Sequence, residues 1–134
     1  MPEDIPLGLA EKRRILYGRG QEDRRAAVAA ALVARGRLAE ALEFLERTRD
    51  ERLLAEVRRR AVLAGDAFAL SRAAQILKAE PDPSEWRALA TRAELAGRFF
   101  DAVNALERAG DAEGSGALRL QRCPDFRPFR PAGK

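Results

Sequence analysis

The residue types that most often do chemistry are nearly missing from this chain. Histidine is absent from its 134 residues, and Cys123 is the only cysteine. Without histidine the commonest general base is lost. A lone thiol beside a proline has no imidazole to activate it as a nucleophile. Structural zinc sites built from cysteine and histidine are excluded, and no disulfide can form within the chain. Glu40, Glu43 and Glu46 form an acidic stripe. Paired carboxylates can move protons, but these fall on an expected outer helix face with no partner. Gly18-Arg19-Gly20 and Gly114-Ser115-Gly116 are too short to cradle a phosphate, and no nucleotide-binding or serine-hydrolase fingerprint occurs. The chain is therefore expected to be no enzyme and to carry no cofactor and no metal. The remaining chemistry is that of arginine, which recognises carboxylates with a planar fork of donors.

The elements that must position those arginines are helices. Hydrophobic residues make up 46% of the chain and aromatics 6%. Alanine and leucine dominate the apolar set, which suits close-packed helices rather than sheets. The length fits one domain, taken as residues 1–122, with 123–134 a proline-rich basic tail. Net charge is +4, which keeps nucleic acid as an alternative partner. Acids and bases are interspersed, however, and a nucleic-acid footprint needs clustered charge. Neither a signal peptide nor a run approaching the ~18 residues of a membrane span is visible, so the expected setting is the cytoplasm.

Residues 4–20 predict a short helix lined by Ile5, Leu9, Ile15 and Leu16, with Lys12, Arg13 and Arg14 outward. Three helix hairpins follow. The first joins 21–35 to 37–47, with Val28 and Leu32 facing Leu38, Leu42 and Leu45, and Glu43 spaced to pair with Arg47. The second starts near Asp50, carries Leu53, Leu54, Val57, Ala61 and Leu63, then Phe68, Ala73, Ile76 and Leu77, and ends at Pro81 and Pro83. The third begins with Ser84 as candidate N-cap and places Trp86, Leu89, Ala90 and Ala93 opposite Phe99, Ala102, Val103 and Leu106. Gly36, Gly65 and Gly97 mark the inner turns. Residues 113–116 are expected to be a flexible joint and 117–121 a turn or two of helix. The tail is expected to be extended; Pro128 and Pro131 stand at PxxP spacing, which a recognition motif would use, and the alternative is that Phe126 and Phe129 fold back on the body or that the tail is disordered.

Residues 36–47, GRLAEALEFLER, align without gaps on residues 97–108, GRFFDAVNALER. The repeat resembles the tetratricopeptide family, whose pattern W-x2-L-G-x2-Y…A-x3-F is met in outline by Trp86, Leu89, Ala90 and Ala93, then Ala102 and Leu106. Ala90 stands in place of the glycine and Ala93 in place of the tyrosine. The middle copy has Leu70 where the small alanine belongs. The turn glycines lie closer together than the family's 34-residue period. The resemblance covers residues 21–110 and implies an all-α stack of about three antiparallel hairpins, with Trp86 buried between the second and third. It also implies a protein-binding adaptor or scaffold whose first helices line a concave face. With the glycine turns as anchors, Arg52, Arg59 and Arg87 fall on that face, with Thr91 beside them. An acidic segment or a free C-terminus of a partner protein is the implied ligand. A structural subunit of a homo-oligomer is the further alternative; the sequence does not fix the oligomeric state.

Overall fold

The structure, a computed structural model, describes residues 8–122. Within them the chain is all-α: α1 (Leu9–Tyr17), α2 (Glu22–Ala34), α3 (Leu38–Thr48), α4 (Glu51–Ala64), α5 (Ala67–Leu77), α6 (Pro83–Leu95), α7 (Phe99–Arg108) and α8 (Ala112–Arg122). No strand occurs among the described residues. The most extensive contacts join α2 to α3, α4 to α5 and α6 to α7. The first helices of the pairs then touch one another, α2 on α4 and α4 on α6, as do the second helices, α3 on α5 and α5 on α7. Helix α1 leans on α2 and α3, and α8 covers α7.

One turn chemistry closes each pair. Gly36, Gly65 and Gly97 adopt φ of 75°, 70° and 76°, the left-handed region where a Cβ is penalised. The residue after each glycine then reaches back five positions: Arg37 N donates to Leu32 O at 2.9 Å, Asp66 N to Ala61 O at 2.9 Å, and Arg98 N to Ala93 O at 2.8 Å. This is the Schellman arrangement, which satisfies carbonyls a helix end would otherwise leave open. Gly110 repeats it, with Asp111 N on Leu106 O at 2.9 Å. Between pairs, α3 and α5 end instead on left-handed Arg49 and Lys78.

The N-terminal ends differ from the sequence reading in two places. Helix α6 is capped by Asp82, not Ser84. Asp82 accepts from Glu85 N at 3.0 Å, and Glu85 accepts in turn from Asp82 N at 3.2 Å. This is a capping box with Pro83 at the first helical position, where its missing N–H costs nothing. Residues 113–116 are not a joint but the start of α8. Asp111 caps it by accepting from Gly114 N at 2.7 Å, and Ser115 is buried with its hydroxyl on Ala112 O at 3.1 Å. Gly110-Asp111 is the same stop-and-restart as Gly65-Asp66, where Asp66 caps α5 through Ala69 N at 3.0 Å. The cap outweighs the poor helix propensity of two glycines.

The core runs continuously through the pairs, from Ile15 and Val28 through Phe44, Leu54, Val57 and Leu70 to Trp86, Leu89 and Val103. Several residues expected inside lie outside it. Leu9, Leu63 and Phe68 are exposed by 65%, 46% and 61%. Leu63 falls off the buried row Leu54–Val57–Ala61 of α4, and Phe68 stands between the buried Ala67 and Ala69 but points away from them. Leu70 is fully buried. Ile5, Cys123 and the tail with Phe126, Pro128, Phe129 and Pro131 lie outside the described residues.

Candidate interaction face

The first helix of each pair keeps one stripe in solvent. On α2 it carries Asp23, Ala26 and Ala30; on α4 Arg52, Ala55 and Arg59; on α6 Ser84, Arg87 and Thr91, none of them buried. Spacings of three and four put each set on one side of its helix, and the sets share the same offsets from Gly36, Gly65 and Gly97. Between α2 and α4 lies an open groove of about 680 Å³, lined by Ala26, Ala30, Ala55 and Leu53 and by the charged Asp50, Arg52 and Glu56. Its small side chains leave room for a ligand's bulk.

The four residues singled out by sequence all lie on these stripes, but they are not equivalent. Arg59 forms a double hydrogen bond with Glu56, Nε to Oε1 at 3.2 Å and NH2 to Oε2 at 2.6 Å, while Arg60 adds a third contact at 2.7 Å. Arg59 first, and Arg60 with it, pull the Glu56 carboxyl down to about 2. Thr91 donates its hydroxyl to Arg87 O at 3.2 Å, the preceding turn of its own helix. The guanidinium groups of Arg52 and Arg87 make no hydrogen bond or ion pair among the described residues. At one offset α2 has Asp23, α4 Arg52 and α6 Ser84, and Arg87 stands one turn further along α6, level with Ala55, so α4 and α6 each carry an arginine on the face at different positions and α2 carries none.

A clamp sets the relation of α4 to α6. Arg58 grips Glu85 with both arms, Nε and NH2 each at 2.9 Å, and donates NH1 to Ala79 O at 2.7 Å. Both side chains are partly buried, and the Arg58 hydrogen bond holds the Glu85 carboxyl below its ordinary range. Glu85 thus joins α4, the linker before α6 and the α6 capping box. The other end of the chain is fixed by Arg25, a buried cation that sequence reasoning missed. Its Nε donates to Ile15 O at 2.8 Å and Leu16 O at 2.9 Å, and its NH2 to Gly18 O at 2.7 Å. An α2 side chain thereby caps the C-terminus of α1. The only sequence signal for it is an arginine within the apolar spacing of Val28 and Leu32.

The acidic stripe is not free of partners. Arg37 binds Glu40 at 2.6 Å, Lys12 binds Glu43 at 2.5 Å, and Arg72 binds Glu46. The Arg37 hydrogen bond holds the Glu40 carboxyl below its ordinary range. The expected Glu43–Arg47 pair does not form, because Arg47 lies over the Tyr17 ring, 5.1 Å from its centroid. Asp101 ties α7 to α5 by accepting from Ala67 N at 3.2 Å while holding Arg98 at 3.0 Å. A cavity of about 300 Å³ carries Arg47, Arg49 and Lys78, but these sit at the C-terminal ends of α3 and α5, where they offset the helix carbonyls.

No group of histidine, cysteine or carboxylate residues placed to hold a metal ion occurs among the described residues. No helix among them is long and apolar enough to cross a membrane. Comparison with protein-family models, curated proteins and solved structures gives no match.

Proposed function

We propose that this chain is a non-catalytic protein-interaction module, a tetratricopeptide-like stack of three helix hairpins that holds an acidic segment of a partner protein on the face formed by α2, α4 and α6. The observation that carries the reading is the contrast among the arginines. Of the arginines on that face, Arg59 is in an ion pair with Glu56, whereas Arg52 and Arg87 have no ion-pair partner among the described residues. An unpaired guanidinium in solvent has its donors free for a carboxylate, and a two-armed contact adds geometry to charge. The alternation of contacts, first helix on first and second on second, supports the stacking. A single cysteine suits a reducing compartment, so the cytoplasm is the proposed setting.

The test is a panel of immobilised acidic peptides, some with blocked and some with free C-termini, probed with wild type and with the Arg52→Glu/Arg87→Glu double variant. The wild type should retain acidic peptides and lose them as salt rises. The double variant should lose them at all salts while keeping its helical circular dichroism. Equal retention by both proteins would remove the two arginines from the account. Arg59→Gln should have the smaller effect, since its fork is already occupied by Glu56.

A further inference from the structure

The second helices leave a row of their own in solvent, at the end of the stack where the glycine turns lie. Phe68 stands three residues after Gly65 and Phe100 three after Gly97, so the two occupy one register on α5 and α7. They are exposed by 61% and 81%. The same position of α3 holds Ala39. Ala67 N donates to Asp101 Oδ1 at 3.2 Å, which ties the starts of α5 and α7 together and sets the two phenylalanines on adjoining helix ends. Phe100 lies edge-on to the Phe99 ring, with 5.1 Å between centroids. Phe68 borders a pocket of about 160 Å³ between α3 and α5, shared with Ala39, Leu42, Glu43, Glu46 and Arg72. Paired in this way, the rings form a patch, not the single exposed residues that need no explanation.

We propose that the chain's own C-terminal segment covers this patch, with Phe126 against Phe100 and Phe129 against Phe68 at the mouth of the pocket. Position, length and spacing argue for it. Helix α8 follows α7 through the same stop-and-restart that joins α4 to α5, and it packs on α7. It therefore runs back along α7. Its 11 residues against 10, at about 1.5 Å each, bring Arg122 level with the start of α7, where Phe100 lies. The steps from Arg122 to Phe126, at about 3.1 Å each, reach about 12 Å. That is enough to pass from α8 onto α7, since packed helices lie roughly 8–10 Å apart. Pro124, Pro128 and Pro131, with Cys123, Arg127 and Arg130 in front of them, bias six of the nine residues 123–131 toward polyproline II backbone. That helix has about three residues per turn. Phe126 and Phe129 then share one side, about 9 Å apart, which is the interval between packed neighbours such as α7 and α5. A β-strand would turn them to opposite faces, and these prolines close the segment to an α-helix. So placed, the segment covers the apolar end of the second helices and leaves the first-helix face open.

Amide NMR of the full chain carrying a nitroxide at residue 130, through Arg130→Cys in a Cys123→Ser background, tests this. Broadening should gather at the starts of α5 and α7, around Phe68 and Phe100, and spare Arg52 and Arg87. Phe126→Ser/Phe129→Ser in the same background should disperse it. Phe68→Ser/Phe100→Ser should do the same while keeping the helical circular dichroism, because both side chains lie outside the core. Broadening spread evenly over the surface, or unmoved by either double variant, would overturn the proposal. Broadening removed by Phe126→Ser/Phe129→Ser but not by Phe68→Ser/Phe100→Ser would place the segment elsewhere and overturn it too. Isotope-labelled protein mixed with unlabelled protein that carries the nitroxide separates the copies. Broadening at Phe68 and Phe100 in that mixture would give the patch to a second copy's segment and overturn the intramolecular cover. The acidic-segment reading of the first-helix face stands or falls separately, on the peptide panel.

Discussion

Replacing Gly65 with alanine should cost far more than replacing Gly97, although the two glycines share a turn type and nearly the same φ, 70° against 76°. At Gly97 an added Cβ meets nothing within 4 Å. The loss is then the left-handed backbone penalty, about 1–2 kcal/mol, reduced by the stiffer unfolded chain to roughly 1 kcal/mol. At Gly65 the same Cβ would stand 2.5 Å from Ala93 Cα, 2.6 Å from Ala93 N and 2.9 Å from Ala93 Cβ. Two of these are backbone atoms of α6 and cannot rotate aside. Either the turn opens or α6 moves off α4, an overpacking cost of about 1–3 kcal/mol on top of the backbone penalty. Gly65→Ala should therefore lose about 2–4 kcal/mol, which at about 4 °C per kcal/mol for a chain of this size lowers Tm by roughly 8–16 °C. Gly97→Ala should lower it by roughly 4 °C. Paired thermal melts followed by circular dichroism decide it. Equal losses at the two sites would refute the close approach of the α4–α5 turn to α6.

Trp86 is only 3% exposed, and the Arg108 guanidinium lies 5.2 Å from its ring centroid. Its native emission should be blue-shifted and move red on unfolding, and Trp86→Ala should cost about 3–5 kcal/mol in denaturant titrations. Arg25→Met should cost about 1.5–3 kcal/mol by leaving the α1 carbonyls uncapped, and amide hydrogen exchange should show α1 losing protection before α4 and α6. Glu56, at about 2, is depressed chiefly by Arg59 and Arg60, Glu85 by Arg58, and Asp82 by the Ser84 hydroxyl. Depressed carboxyls stabilise the fold fully above their unfolded pKa, near 4, and lose that contribution as pH falls through their folded values. Tm should then fall between about pH 4.5 and pH 2, less steeply in Glu85→Gln, and stay flat from about pH 6 to pH 8 in a chain without histidine.

The helices and their inner turns were legible because glycine, periodic alanine and leucine, and an internal copy all spoke for the same segments. Ala93 was legible as a departure from the tetratricopeptide pattern but not as a consequence. Its smallness answers Gly65, whose turn abuts the α6 backbone and leaves no room for a large ring. The start of α8 was not legible, because two glycines mask Asp111, whose capping role depends on a turn that only the Gly65-Asp66 parallel reveals. Ion pairing was the least legible layer. Spacing alone pairs Glu43 with Arg47, yet Lys12, brought over by α1, takes Glu43. Arg58 and Arg59 are neighbours in sequence, but one turns to Glu85 across the helix gap and the other to Glu56 on its own helix. Which arginines remain free on the proposed face is a tertiary property, and so was closed to the sequence.

The central claim is that the exposed stripes of α4 and α6 form the binding face. Backbone amide NMR of the full chain, titrated with an acidic peptide, tests it residue by residue. Shifts should gather at Arg52, Ala55, Arg87 and Thr91, and be absent in the Arg52→Glu/Arg87→Glu protein. Shifts confined to α3, α5 and α7, or none at peptide saturation, would contradict it.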